Sequence, residues 1–569
     1  MKMRKSTAVL VAFAAALLTV PVAAARSDAK PPAAPVHVQL LSISDWHAQL
    51  EPVSGVGGAA ALSSYFKADR AANPNTFTFT AGDAFGASPP ISSFNGEEPA
   101  IVALRMMGLD ADTFGNHSFD RGIAPLQGLI DLAGAPAGAV PGNPYQFLAA
   151  NLDGLDENLS GVDKWSWFKI GKLKIAVIGI ANEEIPELVK PGSLGTIEIT
   201  DSIAAANKRA EVARTAGADA VIVITHKGIR GIGSDGKAFG ELIDFANGLR
   251  GVDVVLGDHT DFQYSGTHGG ALVVENRSKG LTYAKTQLTI TPGTGVTSKS
   301  VSFVVPTVGA VTPDPAIVAY ITDLRAGLAP VLGQVIGQSN RSIPRSDSCG
   351  RADGRLCESL VGNQTTDALR ATYGTDFALT NSGGLRDALT CSGVAGGSGF
   401  CPAFTPPPWL ITRGQVFALL PFGNVAATAS LNGAELKAAL ENGISSLPGA
   451  NGRFPQVSGL CFRYDIAAPA GSRVISASRQ PVVGGACDGG PVDLTSASTY
   501  TYTTNDFVAA GGDGYPNILA RSTTRDVLDQ VVADYVSTAG TLAPAIQSRI
   551  LCTDSNGAIA PNCAPVTAP

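Results

Sequence analysis

Five short apolar runs in the first half of the chain each end in Asp, His or Asn, and this repeated ending restricts the fold more than any other feature of the sequence. "LLSISDWHAQL" carries Asp45 and His47, "TFTFTAGDAF" carries Asp83, and "DTFGNHSFDRG" carries Asn116, His117 and Asp120. "DAVIVITHKG" ends in His226, and "VDVVLGDHTDF" in His259 and Asp261. Runs this short, rich in β-branched residues and bounded by turn formers, read as strands; the stretches between them, such as "ITDSIAAANKRAEVARTAG", read as amphipathic helices. "VHVQLLSI", "FLAAN", "LKIAVIGI" and "ALVVEN" extend the same set of strands. Side chains just past the C-terminal ends of neighbouring strands share one rim of a sheet, where such folds place their sites. Any one of these residues would serve as a turn former. Four of the six histidines fall at strand ends, however, leaving His37 and His268 as structural or solvent-facing, and coincidence is a poor account of the set.

A chain of 569 residues is too long for one hydrophobic core, so two or more domains are expected. The net charge of -7, without a basic stripe, argues against a nucleic-acid polymer as partner. A small anionic substrate remains compatible with it, because charge local to a cleft outweighs the total. "MKMRK", "AVLVAFAAALLTV" and "PVAAA" predict an export signal over residues 1–25, cleaved after Ala25. No cysteine lies near that cleavage point and "APNCAPVTAP" has no apolar tail, so the expected product is exported, periplasmic or secreted, without a membrane anchor. Its oligomeric state is not legible. All eight cysteines follow residue 348, which suits disulfides in an exported chain, and short loops favour the pairs 349–357, 391–401, 461–487 and 552–563. No CxxC spacing supports a zinc ribbon. The stretch "PDPAIVAYITDLRAGLAPVLGQVI" (313–336) predicts a helix connecting two domains.

The order of these motifs resembles the calcineurin-like metallophosphoesterases, and within them the family of bacterial periplasmic 5′-nucleotidase/UDP-sugar hydrolase and ecto-5′-nucleotidase. The second half adds "NSGGLR" (381–386), "PFGN" (421–424) and "TNDFVAAGGDGYP" (504–516), so the resemblance covers essentially the whole mature chain. It implies a two-domain α/β (α+β) protein. A four-layer metallophosphoesterase β-sandwich flanked by helices would occupy residues 26–312, a linker helix 313–340, and an α/β substrate-binding domain 341–569. It further implies two divalent ions, zinc, manganese or cobalt, because mixed Asp, His and Asn donors suit these better than an all-oxygen cage. One ion would be held by Asp45, His47 and Asp261, the other by Asn116, His226 and His259, with Asp83 bridging. Such a pair, about 3.5–4 Å apart, activates water and clamps phosphoryl oxygens, so no serine or cysteine nucleophile is needed.

His117 and Asp120 would be a catalytic pair, the imidazole protonating the leaving oxygen and the carboxylate fixing the ring. In the second half, Arg351, Arg355, Asn381 and Arg386 supply candidate phosphate contacts. By resemblance Phe422 and Phe507 would clamp a planar base, and Asp513 would bond the ribose. The expected activity is phosphate release from nucleoside 5′-monophosphates, with UDP-sugars and other nucleotide pyrophosphates as further substrates. A 2′,3′-cyclic-nucleotide phosphodiesterase with 3′-nucleotidase activity, or a catalytically decayed nucleotide-binding protein, are the alternatives. One departure stands out: "GDHTD" places Asp261 where the family usually has His or Gln. An extra carboxylate makes the centre a weaker electrophile or changes its metal preference. Unchanged metal content and turnover in Asp261→Gln would contradict that.

Overall fold

The structure, a computed structural model, describes residues 34–190, 192–553 and 563; the export signal expected over 1–25 lies outside the described residues. Two sheets face one another in the first half. The seven-stranded one runs Gly295–Val304, Tyr283–Thr291, Val36–Ser42, Thr76–Phe79, Ala111–Asp112, Gln146–Leu148, Val162–Asp163. The six-stranded one runs Tyr264–His268, Ala271–Glu275, Val254–Gly257, Ala220–Thr225, Leu173–Ile180, Trp165–Ile170. Each predicted strand is present, although "DTFG" contributes only Asp112, to the two-residue strand Ala111–Asp112.

Val36–Ser42 shows how these strands are buried on both faces. Its side chains alternate between faces: Val38 and Leu40 meet Ile175, Val177 and Ile222 between the sheets, whereas Leu41 faces the helices outside. Ala59–Ala72, Glu98–Met107 and Ile123–Gly134 cover that outer face through Leu62, Phe66, Ile101, Leu104 and Leu129. Ser202–Thr215 and Glu241–Gly248 cover the other sheet through Ala206, Ala210 and Leu242. Helices, sheet, sheet, helices: the four layers implied by the resemblance are those found. Strands buried on both faces, most of them parallel to their neighbours, send their C-terminal ends to one rim.

The connecting helix spans Pro315–Leu332, shorter than the 313–340 expected. Asp314 caps it, accepting from Ala316 N at 3.2 Å, and ties it to the first domain through Ser63 Oγ (2.6 Å) and Lys67 Nζ (2.5 Å). Beyond Gly333 the β-branched run Val335–Ser339 leaves the helix and pairs with Trp409–Thr412 and Thr541–Leu542. The second half is built on a five-stranded mixed sheet, Pro455–Ser458, Phe377–Asn381, Thr499–Asn505, Val425–Asn432, Thr523–Val527, with Leu360–Tyr373 and Leu528–Ala539 packed beside it. Its four disulfides are Cys349–Cys357, Cys391–Cys401, Cys461–Cys487 and Cys552–Cys563, the sequential pairing.

One buried ion pair holds the C-terminal strand to this domain. Arg549 donates to Asp367 Oδ2 at 2.7 Å and to Val457 O at 2.8 Å, while Asp367 Oδ1 accepts from Ser458 Oγ at 2.6 Å. Both side chains are 1% exposed. Removing one partner strands the other charge in the core, so Asp367→Ala is expected to cost about 3–5 kcal/mol in urea unfolding. A loss under about 1 kcal/mol would mean that water reaches the guanidinium.

Candidate functional site

Asp45, His47, Asp83, His226 and His259, five of the predicted ligand residues, meet at the rim where the two sheets send their strand ends. His226 Nε2 lies 3.0 Å from Asp83 Oδ2 and 3.0 Å from His259 Nδ1. Asp45, His47 and Asp83 form a second converging group, with His47 Nε2 3.9 Å from Asp45 Oδ1. Asp83 belongs to both groups. Neighbours set the orientation of each donor. His47 Nδ1 bonds Gly86 O at 2.8 Å and His226 Nδ1 bonds Ala81 O at 3.2 Å, which leaves Nε2 of each ring facing the rim. Asp45 Oδ2 accepts from the backbone N–H of His259 at 2.9 Å, linking the first strand end to the last.

The backbone is strained where these residues stand. Asp45, His47, Asp83, His259 and Asp261 all have positive φ, between 38° and 97°, which non-glycine residues seldom adopt. Gly115 is required here: a Cβ on it would lie 2.1 Å from Asp83 Oδ1. Strain collected at one rim, held by the surrounding sheet, fits a preformed polar site rather than packing.

Two divalent ions fit these residues. Nitrogen and oxygen donors converge in buried groups, and Asn116 Oδ1 beside them is buried with no hydrogen-bond partner, a cost of roughly 1–3 kcal/mol that a cation would remove. Burial would raise the Asp83 carboxyl, but His226 and His117 outweigh it and hold Asp83 well below the usual range. Burial would likewise lower His226, yet Asp83 outweighs it and the ring rises to about 9. Burial, then the charge on His226, pushes His259 down to about 3. Without an ion, the charge held on His226 balances the Asp83 carboxylate, a positive charge that a bound cation would supply in its place.

His117 stands over this rim. Its backbone N–H donates to Asp83 Oδ1 at 2.9 Å and its Nδ1 lies 2.9 Å from Asp120 Oδ2. Burial opposes a charge on the ring, but Asp120 raises its pKa above the ordinary value. Phe422, from the second domain, stacks on the His117 ring at 5.5 Å and 16°, and the Arg386 guanidinium lies 5.6 Å from the Phe422 centroid. Across the second domain, Asn381 Nδ2 donates to Asp513 Oδ2 at 2.7 Å, and Asn505 Nδ2 reaches Asn381 Oδ1 at 3.2 Å. Phe507 packs against Gly512, where a Cβ would fall 2.5 Å from the ring. Arg355 joins the two halves electrically, since its charge acts on both His259 and Asp513.

Two predicted residues take other positions. Asp261 is exposed, and its Oδ1 accepts from Ser278 N at 2.7 Å, outside the converging groups. The left-handed turn at His259 (φ 97°) and Asp261 (φ 54°) sends that side chain toward the 276–280 loop. Asp258, three residues earlier in "GDHTD", is fully buried and converges with Asp45 and His226. Arg351 is exposed and held by Asp353 at 2.8 and 2.9 Å. Arg345, which no motif flagged, instead neighbours Arg355 and Arg386. Lys279 was missed for the same reason: it lies in a loop whose return to the rim only the fold determines.

A family model described as 5′-nucleotidase, C-terminal domain, matches residues 335–521. Endonuclease YhcR of Bacillus subtilis (strain 168) is 26% identical over 491 residues, covering 83% of this chain and 37% of its own length. Cell wall protein Lmo0130 of Listeria monocytogenes is 28% identical over 527 residues, covering 84% of this chain and 64% of its own. The chain therefore spans less than two thirds of the length of these curated relatives. The crystal structure of the 5′-nucleotidase precursor from Thermus thermophilus is 26% identical and superposes with a TM-score of 0.73, covering 91% of this chain and all of that one. With a four-layer first domain ending in one polar rim, and residues 335–521 matched by the C-terminal domain of the 5′-nucleotidases, the chain is similar to 5′-nucleotidases in sequence and in fold.

Proposed function

We propose that the protein is an exported di-metal phosphohydrolase that releases phosphate from nucleoside 5′-monophosphates, with UDP-sugars and other nucleotide pyrophosphates as further substrates. One observation carries this reading: His117 touches the ligand Asp83 through its backbone and the candidate base platform Phe422 through its ring. The candidate base platform of the second domain therefore meets the candidate proton donor of the first. Four disulfides, and a cell wall protein among the relatives, support export.

Asp45, His47, Asp83, Asn116, His226 and His259 would hold two divalent ions, with Asp261 or the buried Asp258 adding charge nearby, and the ions would supply neutralisation of phosphoryl oxygens and acidification of a water. The residues of the chain do the rest. Arg386 and Arg355 grip non-bridging oxygens through paired donors. Asp120 holds the Nδ1 proton of His117, which leaves Nε2 to donate to the departing ribose oxygen. Phe422 and Phe507 stack on the base and Asp513, oriented by Asn381, accepts from ribose hydroxyls. Because Phe422 covers His117, the domains must part to admit a base.

Removing either ring tests the clamp. Phe422→Ala or Phe507→Ala is expected to raise KM for AMP about 5- to 150-fold, corresponding to roughly 1–3 kcal/mol of stacking, with a smaller effect on kcat. Unchanged KM in both variants would assign these rings to packing. The function itself is tested by phosphate release from AMP, UMP, UDP-glucose and 2′,3′-cyclic AMP, with and without chelator. AMP and UMP should be hydrolysed in a metal-dependent way. Exclusive cleavage of the cyclic substrate would favour the phosphodiesterase alternative, and inertness toward all four would sink the phosphohydrolase reading.

A further inference from the structure

Between the two domains lies a cavity of 290 Å³ that opens on the rim at His47 and is walled by Glu51, Lys279, Arg386, Asp387 and Ser398. Its charges are unbalanced. Glu51 accepts from Arg325 Nη1 at 2.8 Å, and that ion pair neutralises it. Asp387 accepts from Ser398 Oγ at 2.5 Å and from Ala388 N at 2.7 Å. Lys279 and Arg386 form no ion pair with any described carboxylate, and neither does Arg345 just behind them. Carbonyls alone hold the two arginines: Arg345 Nε donates to Leu385 O at 3.0 Å, and Arg386 Nη1 reaches Gly383 O at 3.4 Å.

The three cations feel one another. Burial, then Arg345 and Arg386, lowers Lys279. Burial, then Arg345 and Arg355, brings Arg386 down to about 9, and burial followed by Arg355 brings Arg345 to about 10. Lys279 is also fixed to the rim, since its backbone N–H donates to Asp45 O at 2.9 Å and its φ is 59°. Asp387 offsets part of this charge, acting on both Lys279 and Arg345, but one carboxylate against three cations leaves a positive excess that favours an added anion.

We propose that Lys279 and Arg345, with Arg386 shared between this group and the reacting phosphate, form a second oxyanion subsite beside this cavity, taking a phosphoryl group other than the one being cleaved. The assignment rests on the phosphohydrolase reading above. An ammonium point charge beside planar guanidinium donors matches a phosphate with several free oxygens. The group is either a second phosphate of the substrate or the orthophosphate just released.

Isothermal titration of inorganic pyrophosphate into the full chain in EDTA reads this subsite without metals. Wild type should bind one pyrophosphate, and Lys279→Gln should bind it at least about tenfold more weakly, with Lys279→Arg restoring most of the loss. Arg345→Gln, on a separate loop, should repeat the loss, so poor folding of one variant leaves the test intact. With metal restored, a fall of about fivefold in the kcat/KM ratio of ADP to AMP in Lys279→Gln identifies a second substrate phosphate. A comparable rise in the inhibition constant of orthophosphate, with that ratio unmoved, identifies the product. No binding by wild type, or equal binding by wild type and both Gln variants, overturns the subsite. If wild type hydrolyses neither nucleotide, the phosphohydrolase reading falls while the titration in EDTA still decides the subsite.

Discussion

Asp83→Ala is expected to abolish tight binding of both metal ions and lower turnover of AMP by at least about 10⁴-fold, the largest loss available to a single substitution in this protein. Asp83 alone belongs to both converging groups that include a predicted ligand histidine pair or Asp45–His47, and its second oxygen also fixes the backbone of His117. The effect has a readout independent of activity. A ligand that binds only the folded state stabilises it by about 2.7 kcal/mol per site at a hundredfold excess over Kd. Wild type should therefore melt well above its chelated form, whereas Asp83→Ala should melt alike with and without metal. Retention of two tightly bound ions by the variant would show that the bridging position is wrong.

His117→Ala is expected to behave differently: kcat for AMP falls about 10²–10⁴-fold while metal content stays at the wild-type level. The ring is not among the converging donors, and only its backbone N–H touches Asp83, a contact that alanine keeps. Asp120→Asn should lose less, because the amide still holds the ring but no longer favours its charged form. A variant that lost metal in step with activity would make His117 a ligand. One that kept kcat within about tenfold would leave the protonation of the leaving oxygen to another group.

What the sequence made legible follows from how each part is determined. Strands buried on both faces, such as Leu173–Ile180 and Ala220–Thr225, declare themselves as unbroken apolar runs, and their polar ends can only collect at one rim. The hairpin of Tyr283–Thr291 and Gly295–Val304 was legible but not read: its alternation of polar and apolar residues is the mark of strands buried on one face. The connecting helix was overextended because "GQVI" continues its apolar pattern, while Gly333 and the pairing of Val335–Ser339 redirect the chain. Asp258 and Asp261 flank a residue with φ of 97°, and no spacing rule tells which carboxylate turns inward past such a kink. Lys279 and Arg345 reach the rim from loops far apart in sequence, a convergence that only the packed domains specify. By contrast, short loops between cysteines constrain pairing locally, and all four sequential disulfides form.

Anomalous diffraction from crystals soaked in manganese or zinc addresses the central claim most directly. Two peaks about 3.5–4 Å apart should appear among Asp45, His47, Asp83, Asn116, His226 and His259, with Asp83 between them. A single peak, or metal bound only at the surface with these six side chains hydrogen-bonded among themselves, would contradict the account.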